Sequence, residues 1–418
     1  MKKKLPNSTL SIAIWKILFE FFVNLSKKFG IFPTIKNRWS LMNIVALALV
    51  FNIGIVQAQT IGSGTVPVDP PAGNFNIDGS LNANTGVGDW LAGSGSGGFV
   101  LSNSGTPIVS STTFHLLDLF NNTSDDTFPG TGGQKFDDNP NIWTWELSSG
   151  QDKTDMNNAL IHFTTDAFGK VWVVFAADRL SNSGDAYIDF EFFQETMTKE
   201  LDGTFKSLAP ASTGGRTAGD FILTVYFKNN IASFDIQTWQ QIAGKWQYKS
   251  ILSSLSSLPL ISVYAAGNTS SVPVPYSAFG STTYLSNTFI ESAVNLTEVL
   301  KIENPCANIK VKTIFVKSKT SNSESASIKD FFEPLQVDLP LVSAGGTATA
   351  TTSPICSGES TTITLTGYTG SIQWQTNADG SFVDITSATS ATYTTPALTS
   401  TTSYRAVVSG VCPTVYST

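Results

Sequence analysis

Between Thr60 and Asp338 the chain runs in short apolar stretches, many alternating with polar residues and most closed by Gly, Asn, Ser or Asp. Alternation of period two puts successive side chains on opposite faces of a strand, so the pattern predicts strands and few helices. "KVWVVFAADR" (Lys170 to Arg179) and "AYIDFEFFQE" (Ala186 to Glu195) read as two strands joined by "LSNSGD", whose Asn182 and Gly184 suit a hairpin connection. "GDFILTVYFKN" (Gly219 to Asn229) and "ASFDIQTWQ" (Ala232 to Gln240) flank a turn near Asn229 and Asn230, and "KWQYKSI" (Lys245 to Ile251) continues the meander. "DMNNALIHF" (Asp155 to Phe163) reads as turn and strand. The expectation is an all-β chain whose 60–338 segment is a large antiparallel β-sandwich, jelly-roll or lectin-like, in which one side of each strand faces the other sheet.

The last 80 residues change character. "DLPLVSAGGTATATTS" (Asp338 to Ser353) has no apolar period and reads as a linker over 339–353. In 354–418, Cys356 opens a strand, Trp374 lies on a central alternating strand, and Tyr404, Ala406 and Val408 point inward along "SYRAVVSGVC". This segment resembles the immunoglobulin-like repeats common on secreted proteins of Bacteroidetes, which implies a smaller immunoglobulin-like sandwich with Trp374 as core and a Cys356–Cys412 disulfide bond. The pattern departs from the repeat at Thr418, where a closing strand is expected to be missing, so the chain reads as a fragment of something longer.

The first 59 residues read as a leader. Lys36 and Arg38 precede "LMNIVALALVFNIGIV" (Leu41 to Val56), and Ala58 in "VQAQT" offers a small residue for cleavage, the order of a secretory signal peptide. A retained membrane anchor is the alternative, although a run of about 16 residues falls short of the roughly 20 a span needs. Upstream, "LSIAIWKILFEFFVNL" reads either as a short amphipathic helix or as an extension from an over-long start assignment.

Composition supports export. Charged residues are only 14% of the 418, while Phe and Trp together number 37, a mixture that suits pleated sheets closed by Gly and Asn turns. Eight of the 25 basic residues but only one acid lie before Thr60, leaving 17 basic against 31 acidic residues in the remainder. A surface so acidic repels phosphate backbones, which argues against nucleic acid as a partner. Three cysteines, none in a CxxC, fit an oxidising compartment with one bridge and one thiol left over.

A second resemblance covers Phe75 to Pro334. The phrases "FNIDGSLNA", "GDW", "QKFDDNPNIWTWE", "FAADRLSNSGDAYIDFEFFQ", "AGDFILTVYF" and "VKSKTSNSESASIKDFFEP", in that order, resemble an uncharacterised family of large secreted bacterial β-sandwich domains found ahead of immunoglobulin-like repeats on cell-surface proteins. The resemblance implies surface display and no established chemistry. Asp189 and Glu191 depart from its pattern, which argues against a family-wide catalytic role for them.

Those two acids nevertheless have to be weighed. On a strand, Asp189 and Glu191 share a face with Cα atoms about 6.5–7 Å apart, and a retaining glycosidase needs carboxyls about 5–5.5 Å apart. Jelly-roll glucanases run Glu, Asp, Glu with tighter spacing than the Asp189, Glu191, Glu195 series. A solvated sheet face carrying charge is the favoured reading, with ligand binding by Asp189 and Glu191 as another. Trp143 and Trp145 alternate on one predicted strand and could stack on sugar rings, although core filling is the usual fate of tryptophan in a sandwich. For a metal, Asp137, Asp138, Asp178 and Asp185 lie at predicted loop ends, and Ca²⁺ is the cofactor that loop carboxylates would hold; an Asp178–Arg179 ion pair is the plainer alternative. "GSGSGG" (Gly93 to Gly98) matches GxGxxG but leads into no helix, so it reads as a flexible loop. His115 and His162, the only histidines, sit among apolar strand residues and leave little on which to build a serine triad.

The function expected is that of an exported cell-surface or secreted protein without catalysis, serving adhesion or extracellular binding of a glycan or surface protein, and meeting membrane only through its leader or the export machinery. A carbohydrate-active enzyme using Asp189, Glu191 or Glu195 and a calcium-assisted lectin are the alternatives.

Overall fold

The computed structural model describes residues 62–130, 134–167, 170–228, 231–252, 263–303, 310–323, 325–340, 344–378, 380–409 and 415–418. The expected leader, Cys306 and Cys412 lie outside the described residues. No described helix is long and apolar enough to cross a membrane.

Two antiparallel sheets form the body of the larger part. The first has six strands in the order β17 (Val263–Gly267), β20 (Phe289–Asn295), β10 (Val171–Asp178), β9 (Asn158–Asp166) and β2 (Val68–Asp69), with β6 (Thr113–Leu117) also pairing with β9. The second has nine. Its order is β16 (Lys245–Ser250), β15 (Ile231–Ile242), β14 (Phe221–Lys228), β11 (Ala186–Phe193), β21 (Lys310–Lys319), β22 (Ile328–Phe331), β7 (Asp126–Thr127) and β8 (Glu146–Leu147), with β23 (Leu335–Pro340) on β21. This is the all-β sandwich that the alternating pattern predicts.

The inner faces supply the core between the sheets. Ile188, Phe190 and Phe192 of β11 alternate inward against Val173, Phe175 and Ala177 of β10. Phe175 meets Phe190 edge-on with ring centroids 4.9 Å apart, and Phe192 stacks on Phe221 at 4.5 Å. Each such buried aromatic removes on the order of 150–250 Å² from water, and that burial drives the layers together.

The outer faces are covered as well, which the two-layer expectation does not include. Over the six-stranded sheet lie the pairs β1 (Gly64–Val66) with β3 (Phe75–Ile77), β4 (Asp89–Leu91) with β5 (Phe99–Leu101), and β18 (Val272–Ala278) with β19 (Ser281–Tyr284). They enclose a second apolar cluster that includes Phe75, Trp90, Trp172 and Tyr284. Over the nine-stranded sheet, β12 (Met197–Lys199), β13 (Phe205–Ser207) and the 3-10 turn Pro140–Ile142 enclose a third, with Phe128, Trp143, Phe205, Phe315 and Phe331. All eight residues of β11 are therefore buried.

Three local expectations need correction. β14 and β15 do form the expected hairpin, with Lys228 opposite Ile231, and β16 continues it. β10 and β11 do not: β10 pairs with β9 and β20, β11 with β14 and β21, so "LSNSGD" crosses from one sheet to the other. Period-two patterning sets which face a strand buries but not which neighbour it pairs with. Trp143 and Trp145 flank an isolated bridge at Thr144 after the 3-10 turn instead of sharing a strand. The glycine-rich loop is packed closely: a Cβ on Gly93 would lie 1.7 Å from the Ala83 carbonyl oxygen, and one on Gly97 1.9 Å from that of Val87. Glycine serves there for backbone approach.

From Ala344 onward the strands pair among themselves around a separate core. One sheet is β24 (Ala344–Ala350), β25 (Thr362–Thr369) and β28 (Thr392–Thr394); the other is β27 (Val383–Asp384), β26 (Ser371–Thr376), β29 (Tyr404–Ser409) and β30 (Val415–Tyr416). Trp374 is fully buried in this core with Ile363, Leu365, Ala406 and Val408. Seven antiparallel strands split three and four, around a buried tryptophan, make an immunoglobulin-like sandwich. Much of the expected linker is strand β24, whose Thr and Ala residues pair with β25 although they offer no large apolar side chain. The closing strand expected to be missing is present as β30, which sets Val415 opposite Val408.

Candidate functional site

Asp189 and Glu191 point to the outer face of the nine-stranded sheet, as their odd positions beside Ile188, Phe190 and Phe192 require. That face is not solvated. Both acids are fully buried, and so are Arg216, Lys317 and Lys319, the three cations that meet them. Arg216 Nε donates to Glu191 Oε1 at 2.6 Å, Tyr248 donates its hydroxyl to the same oxygen at 2.6 Å, and Lys317 Nζ pairs with Oε2. Asp189 Oδ1 lies 2.7 Å from Lys319 Nζ and accepts the Thr224 hydroxyl at 2.7 Å. The Arg216 guanidinium also sits among the rings of Trp239, Trp143 and Tyr248, at 4.7, 5.1 and 5.2 Å.

The electrostatics follow from this geometry. Burial pushes the Glu191 carboxyl up, but Arg216 and Lys317 outweigh it and hold the group below its ordinary value. Burial also pulls the Lys317 ammonium down, and Glu191 and Asp189 offset this only in part. Two carboxylates are held against three cations beneath an aromatic cover, with no solvent access, whereas a general acid and a nucleophile must reach substrate. Glu195, in the bend after β11, pairs with Lys312 at 2.6 Å and is separate from the other two.

The remaining predicted residues are dispersed. Trp143 is fully buried and donates Nε1–H to the Lys135 carbonyl; Trp145 is half-buried under the Lys199 ammonium, 4.1 Å from its ring centre. Asp137 accepts the Tyr248 N–H and Asp138 the Lys135 N–H. Asp178 is buried on the opposite sheet, where it accepts from the backbone of Asn157 and Asn158, the Asn158 amide and the Tyr284 hydroxyl. Arg179 does not turn to Asp178: it donates to the carbonyls of Asn287 and Gly184. These oxygens are taken by separate backbone and side-chain donors, and among the described residues Asp137, Asp138 and Asp178 form no common cluster. Asp185 precedes β11 and acts electrostatically on Arg179. His162 is buried between the Thr113 hydroxyl and the Pro70 carbonyl, and burial pulls its pKa down to about 4, so it is a neutral core residue.

The convergence that sequence reasoning missed lies at the rims of both sheets. Asp118 follows β6, Asp125 precedes β7 and Asp330 is on β22; each offers a carboxylate oxygen, and these oxygens lie within 4.8 Å of one another. Asp155, just before β9, adjoins them: its Oδ2 accepts the N–H of Asn121, in the loop joining Asp118 to Asp125. Asp330 Oδ2 accepts the Met156 N–H and Oδ1 its neighbour's at Phe331. Asp125 and Asp155 are fully buried. Four buried oxygens, Asp118 Oδ2, both of Asp125 and Asp155 Oδ1, have no hydrogen-bond donor.

Burial, with the neighbouring carboxylates, pushes Asp118 up to about 8, Asp125 to about 7 and Asp155 to about 6, and drives Asp330 well above its ordinary value. The charged groups that act most strongly on the four are other aspartates. The cue in the sequence is "DLFNNTSDD" (Asp118 to Asp126), dense in oxygen-bearing side chains; its partners Asp155 and Asp330 lie 37 and 212 positions beyond Asp118, which no local spacing rule connects.

The immunoglobulin-like part presents no comparable cluster among its described residues. Residues 344–418 match the model of a domain of unknown function (DUF8696). The match begins at β24, in the expected linker. No curated protein matches the chain. In the DUF8696 region Cys356 is an exposed free thiol before β25, and the disulfide expected with Cys412 falls on a residue outside those described.

Proposed function

We propose that the chain is an exported, non-catalytic binding protein of the cell surface or extracellular space, in which the large sandwich carries the binding surface and the immunoglobulin-like sandwich serves as a spacer. The observation that carries this reading is the burial of Asp189 and Glu191 against Arg216, Lys317 and Lys319, which takes the best catalytic candidates out of reach of any substrate. The acidic balance after the leader, the scarcity of charge and the resemblance to surface proteins of Bacteroidetes support export and display. A calcium-assisted lectin is the second reading, favoured by the donor-less carboxylates at the sheet rims. A glycan array and a polysaccharide hydrolysis panel, run on the same purified protein, test both. Binding without release of reducing ends is the expected outcome; turnover of any polysaccharide would overturn the non-catalytic reading.

A further inference from the structure

The four aspartates at the sheet rims present a chemical problem that the fold does not solve by itself. Buried carboxylates are ordinarily neutralised by a cation or satisfied by donors. Glu191 shows how this chain does so with arginine and lysine. At Asp118, Asp125, Asp155 and Asp330 that solution is absent among the described residues: Lys199, which pairs with the adjoining Asp126, is engaged there and with Glu333. Asp125 is fully buried with both oxygens bare, and Asp155, outside the converging three, adds a fourth bare oxygen beside them.

We infer that Asp118, Asp125 and Asp330, with Asp155 beside them, bind one calcium ion that ties the rim of the six-stranded sheet to that of the nine-stranded sheet. The donors are all oxygen, which suits a hard cation and disfavours zinc or copper. Ca²⁺ holds oxygens at about 2.3–2.6 Å, and three carboxylate oxygens within 4.8 Å of one another can share such a sphere. Ca²⁺ accepts flexible sets of about six to eight oxygens, whereas Mg²⁺ demands near-ideal octahedral geometry and keeps several waters. The placement also assigns the ion a structural task. Asp118 continues from β6, Asp155 leads into β9, Asp125 precedes β7 and Asp330 lies on β22, which pairs with β7, so one ion would gather elements of both sheets and the loop between them. This inference goes beyond the proposed binding function and needs no glycan ligand.

The test is isothermal titration of CaCl₂ into the chelator-treated full-length protein, with melting curves in excess Ca²⁺ and in chelator. One equivalent of Ca²⁺ bound, with a rise in melting temperature, is expected. Asp125→Asn removes one buried carboxylate and keeps a side-chain oxygen of the same shape, so it should fold, weaken Ca²⁺ binding by about tenfold or more, and melt no lower than wild type in chelator. Should that variant not fold, Asp118→Asn, which keeps the Oδ1 acceptor for the Leu119 N–H, replaces it. Absence of binding to wild type would overturn the inference, and so would binding unchanged in the variant. The readout is the ion itself, so a failed glycan array leaves the result standing.

Discussion

Glu191 on β11 and Arg216 meet at 2.6 Å with no solvent access to either, and Lys317 from β21 takes the second carboxylate oxygen. A glutamate held between two cations is a fastening between one sheet and its aromatic cover. Its worth shows when one side is removed. Glu191→Ala leaves Arg216 and Lys317 buried without a counter-charge and should cost about 3–5 kcal/mol, read by urea unfolding. Glu195→Ala, at a partly exposed pair, should cost no more than about 1 kcal/mol.

Between the opposite sheet and its cover, Glu291 of β20 and Asp89 of β4 act on each other without such help. Glu291 accepts the backbone N–H groups of Asp78 and Gly79 and the Trp90 indole, while Asp89 Oδ2 has no donor. Burial pushes Glu291 up to about 8, and burial together with Glu291 raises Asp89 well above its usual range. Raised folded values mean that the folded chain holds protons which the unfolded chain releases near 3.8 and 4.5. The stabilising contribution is therefore full below those values and is lost as pH rises toward and through about 8. Asp89→Asn keeps the Oδ1 acceptor for the Trp90 N–H and removes one charge. Melting curves from acid to mildly alkaline pH should show the variant falling less steeply than wild type, by on the order of 1–2 kcal/mol at the alkaline end.

Glu191 has the opposite sign. Its folded value is lowered, so its contribution is present above the unfolded value of 4.5 and is lost only as pH falls through the lower folded one. Glu191→Gln should flatten the acid limb of the stability profile and leave the slope between neutral and alkaline pH unchanged, as circular dichroism melts across that range would show.

The general architecture was legible in the chain because period-two patterning directly reports which side chains a strand buries. The β14–β15 hairpin, the strands of the meander and Trp374 as a core residue followed from it. What did not follow was coverage. A strand such as β11 reads "YIDFEFF", and alternation alone treats Asp189 and Glu191 as solvent-facing. Their burial depends on Arg216, Lys317 and Phe136, which come from distant parts of the chain. The same distance hid the Asp118, Asp125, Asp155 and Asp330 cluster, while the aspartates chosen from loop positions proved to cap nearby backbone or to serve other residues.

In the DUF8696 region, Trp374 donates its indole N–H to the Ser390 carbonyl and fills the centre of the small sandwich. Trp374→Ala should cost about 3–5 kcal/mol there, seen as loss of the near-ultraviolet signal of that region expressed alone. Cys356, exposed and free, should be alkylated without prior reduction, as peptide mass spectrometry would register.

Comparing wild type with Asp189→Asn/Glu191→Gln, by urea unfolding and by hydrolysis of a polysaccharide panel, tests the account most directly. The double variant should lose several kcal/mol of stability, about 3 or more, with no turnover by either protein. Hydrolysis by wild type that disappears in an equally stable variant would contradict it.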